Sequence, residues 1–208
     1  MNLSQRKNYL QKFYYPVGFF LYKLRFPPNI ITFLSLLTGT AAALFYYYEN
    51  LLTAGFFLIL SGLLDLADGL VARLAEKTTK FGAVFDWVAD KWVDGLVLGI
   101  IGYFYAGPFV ATLAVTLSLI HSFIKPVVYS EIGYERKING KISDPLENIG
   151  FFGRPETHIS LIFFTLMEKL GAPAGLAFGI KFITIGTFLS LLVRIFYLYK
   201  HFGKIYDR

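Results

Sequence analysis

Two stretches of the chain carry no Asp, Glu, Lys or Arg: Phe26 to Tyr48, and Gly95 to Ile124. A helix needs about 20 mostly apolar residues to cross a ~30 Å hydrocarbon core, where every backbone polar group must be bonded within its own segment. The first stretch suits one crossing, and the second is too long for one. Ala106-Gly107-Pro108 divides it, since proline opens a helix readily but cannot continue one. Leu51 to about Ala75 is apolar until Asp65, and Phe85 to Tyr105 is apolar apart from acids and one Lys in its first half. Thr157 to Met167, extended at its start by Gly153 to Glu156, and Leu176 to Tyr199 complete the set. The expected fold is an all-α integral membrane protein, a single domain over 1–208. Six transmembrane helices over 26–201 follow an interfacial amphipathic helix over 2–24.

Basic residues indicate how such a bundle would sit. Arg6, Lys7, Lys12, Lys23 and Arg25 precede the first span; Arg73, Lys77 and Lys80 join the second to the third. Arg136, Lys137, Lys141 and Arg154 join the fourth to the fifth, and Lys200, Lys204 and Arg208 follow the last. The alternate connections carry only Lys169, with Lys181 close by. Lys and Arg mark cytoplasmic loops, so both termini are expected in the cytoplasm. The net charge of +6, from 20 Lys and Arg against 14 Asp and Glu, then faces anionic headgroups, and no nucleic-acid partner is expected. Only 16% of residues are charged, against about 25% in soluble domains. With no cysteine, disulfides and thiolate chemistry are excluded.

In the N-terminal segment, Leu3, Leu10, Phe13, Tyr14, Val17, Phe20 and Leu21 recur at roughly helical spacing opposite Ser4, Lys7, Asn8, Gln11 and Lys12. That pattern suits a helix lying in the headgroup plane, kinked at Pro16 and separated from the first span by Pro27-Pro28. The first 25 residues lack an uninterrupted apolar core and a small-residue cleavage site, so no cleavable signal peptide is expected. Tyr46-Tyr47-Tyr48 reads as an interfacial belt.

Against this background four acids stand out: Asp65, Asp68, Asp86 and Asp90. A carboxylate at the centre of a membrane helix costs about 2.5–3.5 kcal/mol on insertion scales, so such a cluster requires partners. Asp65 and Asp68 share one helix face with Gly69 and Ala72; Asp86 and Asp90 share another with Gly82. With the second and third spans as antiparallel neighbours across the short 74–81 connection, the two pairs lie at one depth and face each other. An all-oxygen donor set selects Mg²⁺ or Mn²⁺, with Ca²⁺ possible, over zinc. Small residues beside the acids and the fork donor Arg73 suit a bulky substrate bearing a pyrophosphate.

These residues read D-x2-D-G-x2-A-R-x8-G-x3-D-x3-D from Asp65 to Asp90, and in this the chain resembles the CDP-alcohol phosphotransferases at every fixed position of their signature. The resemblance implies attack by an acceptor hydroxyl on the β-phosphorus of a CDP-alcohol, with CMP leaving. It implies that Asp65, Asp68 and Asp86 hold two divalent ions, while Asp90 contributes to the metal site and acts as base. Asp68, Gly69, Ala72, Arg73 and Gly82 would form the CDP pocket, with Asn29 and Thr32 as polar contacts. Family members are homodimers, and Gly95, Gly99 and Gly102 offer a close-packing stripe.

Lys125, Arg154 in Gly153-Arg154-Pro155-Glu156, and Arg194 resemble the acceptor-phosphate set of the inositol-phosphate-using branch. Positive-inside anchoring is the plainer alternative for the three. The expected acceptor is a small phosphorylated polyol, inositol 1-phosphate first and glycerol 3-phosphate second. The donor is expected to be a CDP-diacylglycerol or CDP-archaeol type lipid, with CDP-inositol, giving a soluble di-inositol product, as the alternative. A loop with Glu135, Arg136, Lys137 and Asp144 reads as a lid or as solvated chain. Asp94, outside the signature, is expected to pair with Lys91 or a hydroxyl. Trp87 and Trp92 read as packing or lipid-facing residues, and His121, His158 and His201 fall at no metal-ligand spacing. An ion transporter is the rival from another class, and it predicts acids spread through the bilayer's depth rather than gathered in two helices.

Overall fold

The computed structural model describes residues 7–131 and 149–203, together with 137–138, 141–142 and Leu146. Among them seven helices follow in order: α1 Lys7–Lys23, α2 Pro28–Tyr47, α3 Leu51–Leu74, α4 Lys80–Ala106, α5 Pro108–Glu131, α6 Arg154–Lys169 and α7 Leu176–Phe202. A two-residue antiparallel pair, Lys137–Ile138 with Lys141–Ile142, lies between α5 and α6. The start of the interfacial helix, the basic residues Arg6, Lys204 and Arg208, and the side chains of Leu10, Phe13 and the 135–144 loop lie outside the described residues.

Helix ends follow local chemistry. Pro27 caps α2 with Pro28 at its first position, where a missing N–H costs nothing. Thr79 Oγ1 accepts the Gly82 N–H at 2.9 Å to open α4, and Asn50 Oδ1 accepts from Thr53 N at 3.5 Å to open α3. Gly107, at φ 88°, turns the chain between α4 and α5 where the sequence places the break. Pro16 lies inside α1, which continues through it.

Four helices, α2, α3, α5 and α7, are long and apolar enough to cross a membrane. α4 carries Lys80, Asp86, Asp90, Lys91 and Asp94, and α6 has 16 residues, so length and composition alone do not mark these two as spans. Much of the apolar surface faces outward, including Phe33, Phe56, Phe109, Phe178 and Phe196. In water such a surface would drive aggregation; in acyl chains it is matched.

α2 forms the centre of the site end. It packs against both α3 and α4, while α3 and α4 scarcely touch. The two acid-bearing helices are therefore not direct packing partners, as the short 74–81 connection led one to expect; α2 wedges between them and leaves a cleft. Ser35 Oγ donates to Ser61 O and Ser61 Oγ to Ser35 O, each at 2.9 Å, which fixes α2 on α3. Gly39 lets α2 approach α4 so closely that a Cβ there would lie 2.4 Å from Val93 Cγ2. Further from the cleft, Tyr46, Leu58, Ile101, Leu161 and Ile180 form the apolar core.

Two expectations change here. Tyr46 is fully buried with its hydroxyl 2.6 Å from Thr165 Oγ1 of α6, so only Tyr47 and Tyr48 of the tyrosine run are exposed; the 100° step of a helix turns one of three consecutive residues inward. A Cβ at Gly102 would meet Ala111 Cα at 2.5 Å and one at Gly99 would meet Val115 at 3.6 Å. Both glycines therefore face α5 of the same chain. Gly95 alone of the three has nothing within 4 Å.

Candidate active site

The acids lie at the end of the bundle where α3 finishes and α4 starts. One oxygen from each of Asp65, Asp86 and Asp90 falls within 4.8 Å of the others, the arrangement a divalent cation needs. Asp68 stands on the same side of α3 but is buried, and its Oδ2 accepts the Thr32 hydroxyl at 2.5 Å from α2. Three of the four signature acids therefore converge directly, and the fourth is oriented by Thr32.

Arg154, the first residue of α6, reaches into this cluster. Its Nη1 donates to Asp65 Oδ2 at 2.5 Å and lies 2.7 Å from Asp90 Oδ1, and its Nε donates to Asp94 Oδ1 at 3.4 Å. Asp90 Oδ1 is buried and receives no well-directed hydrogen bond from the described residues, although the Arg154 charge is beside it. A buried carboxylate oxygen with charge nearby but no directed donor fits a metal ligand. The donors are carboxylates throughout, which fits Mg²⁺ or Mn²⁺ rather than zinc.

Gly69, Ala72 and Arg73 follow Asp68 on α3 within two turns, and Gly82 precedes Asp86 by one turn on α4. Arg73 is exposed, and its Nη1 lies across Gly69, where a Cβ would stand 3.3 Å away. A Cβ at Gly82 would stand 3.1 Å from Asn29 Oδ1, so Asn29 of α2 faces the start of α4. Pro27 caps α2 and Asn29 does not, which removes the plainest explanation for an Asn at a helix start.

The three acceptor candidates separate. Arg154 sits in the acid cluster. Lys125 is half-buried in the last third of α5, just before Pro126. Arg194 is buried on α7, donating from Nη1 to His121 O at 2.7 Å and from Nε to Ile149 O at 3.1 Å. It ties the segment leading into α6 to α5, a structural duty its sequence position does not reveal.

Asp94 does pair with Lys91, at 2.9 Å, and it also takes His158 Nε2 at 3.2 Å. His158 is the residue missed from sequence. Its signal was the i,i+4 relation to Arg154 on α6. Trp92 donates from Nε1 to Thr40 Oγ1 at 3.1 Å, a packing contact between α4 and α2.

Known proteins resemble this chain in sequence and in fold. The sequence profile described as CDP-alcohol phosphatidyltransferase matches residues 25–206. A phosphatidylinositol phosphate synthase of Corynebacterium glutamicum is 26% identical over 181 residues, covering 86% of this chain and 81% of that protein. An archaetidylinositol phosphate synthase of Pyrococcus horikoshii is 27% identical over 180 residues, covering 86% and 87%. A crystal structure of Mycobacterium tuberculosis phosphatidylinositol phosphate synthase with CDP-DAG bound superposes with a TM-score of 0.74 at 22% identity, covering 95% of this chain and 98% of that one. The same protein in complex with manganese and citrate superposes with a TM-score of 0.73 at 22% identity, covering 93% and 91%.

Proposed function

The chain belongs to the CDP-alcohol phosphatidyltransferase family, and from that membership we propose that it transfers a substituted phosphate from a CDP-activated lipid to inositol 1-phosphate, releasing CMP. The observation that carries the reading is the convergence of Asp65, Asp86 and Asp90 from two helices, with the Arg154 guanidinium against Asp65 and Asp90. Three carboxylates suit a divalent cation, and an arginine beside them suits the phosphate of an acceptor.

Asp65, Asp86 and Asp90, with Asp68, are the residues that would hold Mg²⁺ or Mn²⁺, as two ions. When bound, such ions supply the positive charge that neutralises the diphosphate and the departing CMP. Asp68, Gly69, Ala72, Arg73, Gly82, Asn29 and Thr32 seat the CDP group, the small residues leaving room and Arg73 reaching phosphate. Asp90 takes the proton of the acceptor hydroxyl, whose oxygen attacks the β-phosphorus as the bond to CMP breaks. Arg154 and Lys125 bind the acceptor's phosphate, with Arg194 holding the wall behind them. The lipid donor is preferred over CDP-inositol because outward-facing apolar residues, Phe81, Val84 and Val88, stand beside the acids on α4.

The six-span topology, with both termini and the active site on the cytoplasmic side of the cell membrane, belongs to this proposal. α4 and α6 would cross with their charges gathered at the cleft, where they have partners. A homodimer is also proposed, and Gly95, with open space beside it, is the position on α4 that supports it.

The test is CMP release by the purified full chain in lipid, with CDP-diacylglycerol, CDP-archaeol or CDP-inositol as donor and inositol 1-phosphate or glycerol 3-phosphate as acceptor. The lipid donors with inositol 1-phosphate and Mg²⁺ or Mn²⁺ should give the fastest release, abolished by EDTA. Asp90→Asn should lower it by about 10²–10⁴-fold, the usual scale of general-base catalysis. Full activity in Asp90→Asn would overturn the mechanism, and no turnover of inositol 1-phosphate would overturn the acceptor.

A further inference from the structure

Resting on the acceptor reading above, we propose that Asp94 is the positioning residue for Arg154, and that Lys91 and His158 lock Asp94 in place. Asp94 lies one turn beyond Asp90 on α4, outside the family signature, and only 4% of its side chain is exposed. Each of its oxygens is engaged. Oδ2 takes the Lys91 ammonium at 2.9 Å; Oδ1 takes His158 Nε2 at 3.2 Å and Arg154 Nε at 3.4 Å. The His158 ring packs over Gly62 of α3, where a Cβ would stand 3.5 Å from Nδ1. The imidazole thereby spans the gap between the two acid-bearing helices.

Arg154 needs such an anchor because of its other partners. Its Nη1 lies against Asp65 and Asp90, two residues of the proposed metal set. Carboxylates directed to a divalent cation no longer neutralise the guanidinium, and the cation itself repels it. Asp94 is not in the converging group of three, so its hold on Nε persists. The contacts of the guanidinium with these carboxylates run through Nη1 and Nε, and Nη2 is the edge assigned to a phosphate oxygen while Nε stays clamped. A lysine could not be held in this way, because it has no second donor rigidly set against the first.

A buried network of this kind could serve stability alone, and the test separates the two roles. Wild type and Asp94→Asn are compared as full chains in lipid, varying inositol 1-phosphate and CDP-diacylglycerol in turn. Loss of one charge-assisted hydrogen bond on the anchor should raise the acceptor KM by about 10- to 100-fold. The donor KM and the Mn²⁺ affinity read by electron paramagnetic resonance should stay within about threefold, since neither depends on Arg154 Nε. In an Arg154→Lys background Asp94→Asn should add little, because the group it positions is already gone. His158→Gln should raise the acceptor KM less, in the same direction. Should Asp94→Asn not be recovered folded, His158→Gln with and without Arg154→Lys reads the same coupling. An unchanged acceptor KM, or an equal fold-change in both backgrounds, overturns the proposal while leaving the enzyme reading intact. A wild type that releases CMP with no phosphorylated acceptor overturns the acceptor reading and this proposal with it.

Discussion

Gly39→Ala tests whether α2 sets the width of the cleft. The added Cβ would lie 2.4 Å from Val93 Cγ2, 2.6 Å from Val93 Cγ1 and 2.8 Å from Ser61 Oγ, where ordinary contact is 3.4–4 Å. The shortfall against Val93 is at least 1 Å, and a β-branched side chain packed in a helix has almost no alternative rotamer. α2 and α4 must therefore separate by about 1 Å, at a stability cost of about 1–3 kcal/mol for an overpacked interface. Since α2 also carries Thr32 against Asp68 and pairs with Ser61 of α3, the acids of α3 and α4 move apart with it. Metal–ligand distances tolerate about 0.2 Å, and a 1 Å misplacement costs about 10²-fold in rate, so both Mn²⁺ affinity and CMP release should fall steeply. Two comparisons isolate the cause. Gly102→Ala, 2.5 Å from Ala111 at the α4–α5 contact, should cost similar stability but leave Mn²⁺ affinity near wild type. Adding Val93→Ala to Gly39→Ala removes both clashing methyls and should restore most of the activity. If Gly39→Ala binds Mn²⁺ as wild type does, or loses no more activity than Gly102→Ala, the wedge has no part in forming the site.

Thr32→Val keeps the shape but removes the hydroxyl on Asp68 Oδ2, and should weaken Mn²⁺ binding by about 10- to 100-fold in a resonance titration, the usual effect of losing a ligand's orienting partner. Arg194→Met leaves the buried carbonyl of His121 and the part-buried one of Ile149 without their donor and should lower unfolding stability by about 1–4 kcal/mol, read as a fall in Tm with or without ligands. Because the chain has no cysteine, single substitutions to Cys report topology directly. Lys77→Cys and Glu131→Cys, both at exposed positions, should be shielded from an impermeant maleimide in intact cells, whereas Tyr48→Cys and Leu170→Cys should label. Labelling of Lys77→Cys would reverse the proposed orientation.

Helix ends were legible where they depend on one or two residues: Pro27-Pro28 and Gly107-Pro108 act within a turn of themselves. The acids were legible because an apolar helix makes any charge conspicuous. Helix adjacency was not legible, since a short connection constrains where α4 begins but not which helix lies between it and α3. That depended on Gly39, which reads as one small residue among several in a run. Arg154 and Arg194 show the same limit. Each is a cation on a helix of the bundle, yet one meets carboxylates and the other carbonyls, because the partner is chosen by helix rotation and not by local sequence.

Counting charge in the cleft yields an order of assembly. With all five carboxyls ionised, Asp65, Asp68, Asp86, Asp90 and Asp94 carry five negative charges against Arg154, Lys91 and the Arg73 guanidinium beside Gly69, so two remain unbalanced before any cation arrives. A CDP group brings a diphosphate and would be repelled by this surplus. Two divalent ions would turn it into a net attraction, which makes donor binding conditional on metal. One unit-charge pair at 4 Å is worth about 1 kcal/mol even at the dielectric of bulk water, and about four times that near a protein surface. Removing two divalent ions from beside a diphosphate should therefore weaken CDP binding by more than about 30-fold, which calorimetry in Mn²⁺ against EDTA would read. Asp94→Asn removes one of the surplus charges without touching the converging triad, so CDP binding in EDTA should strengthen slightly. Equal CDP affinity with and without metal would mean that the cleft binds its donor through the cytidine alone, and that the carboxylates act only after the donor is seated.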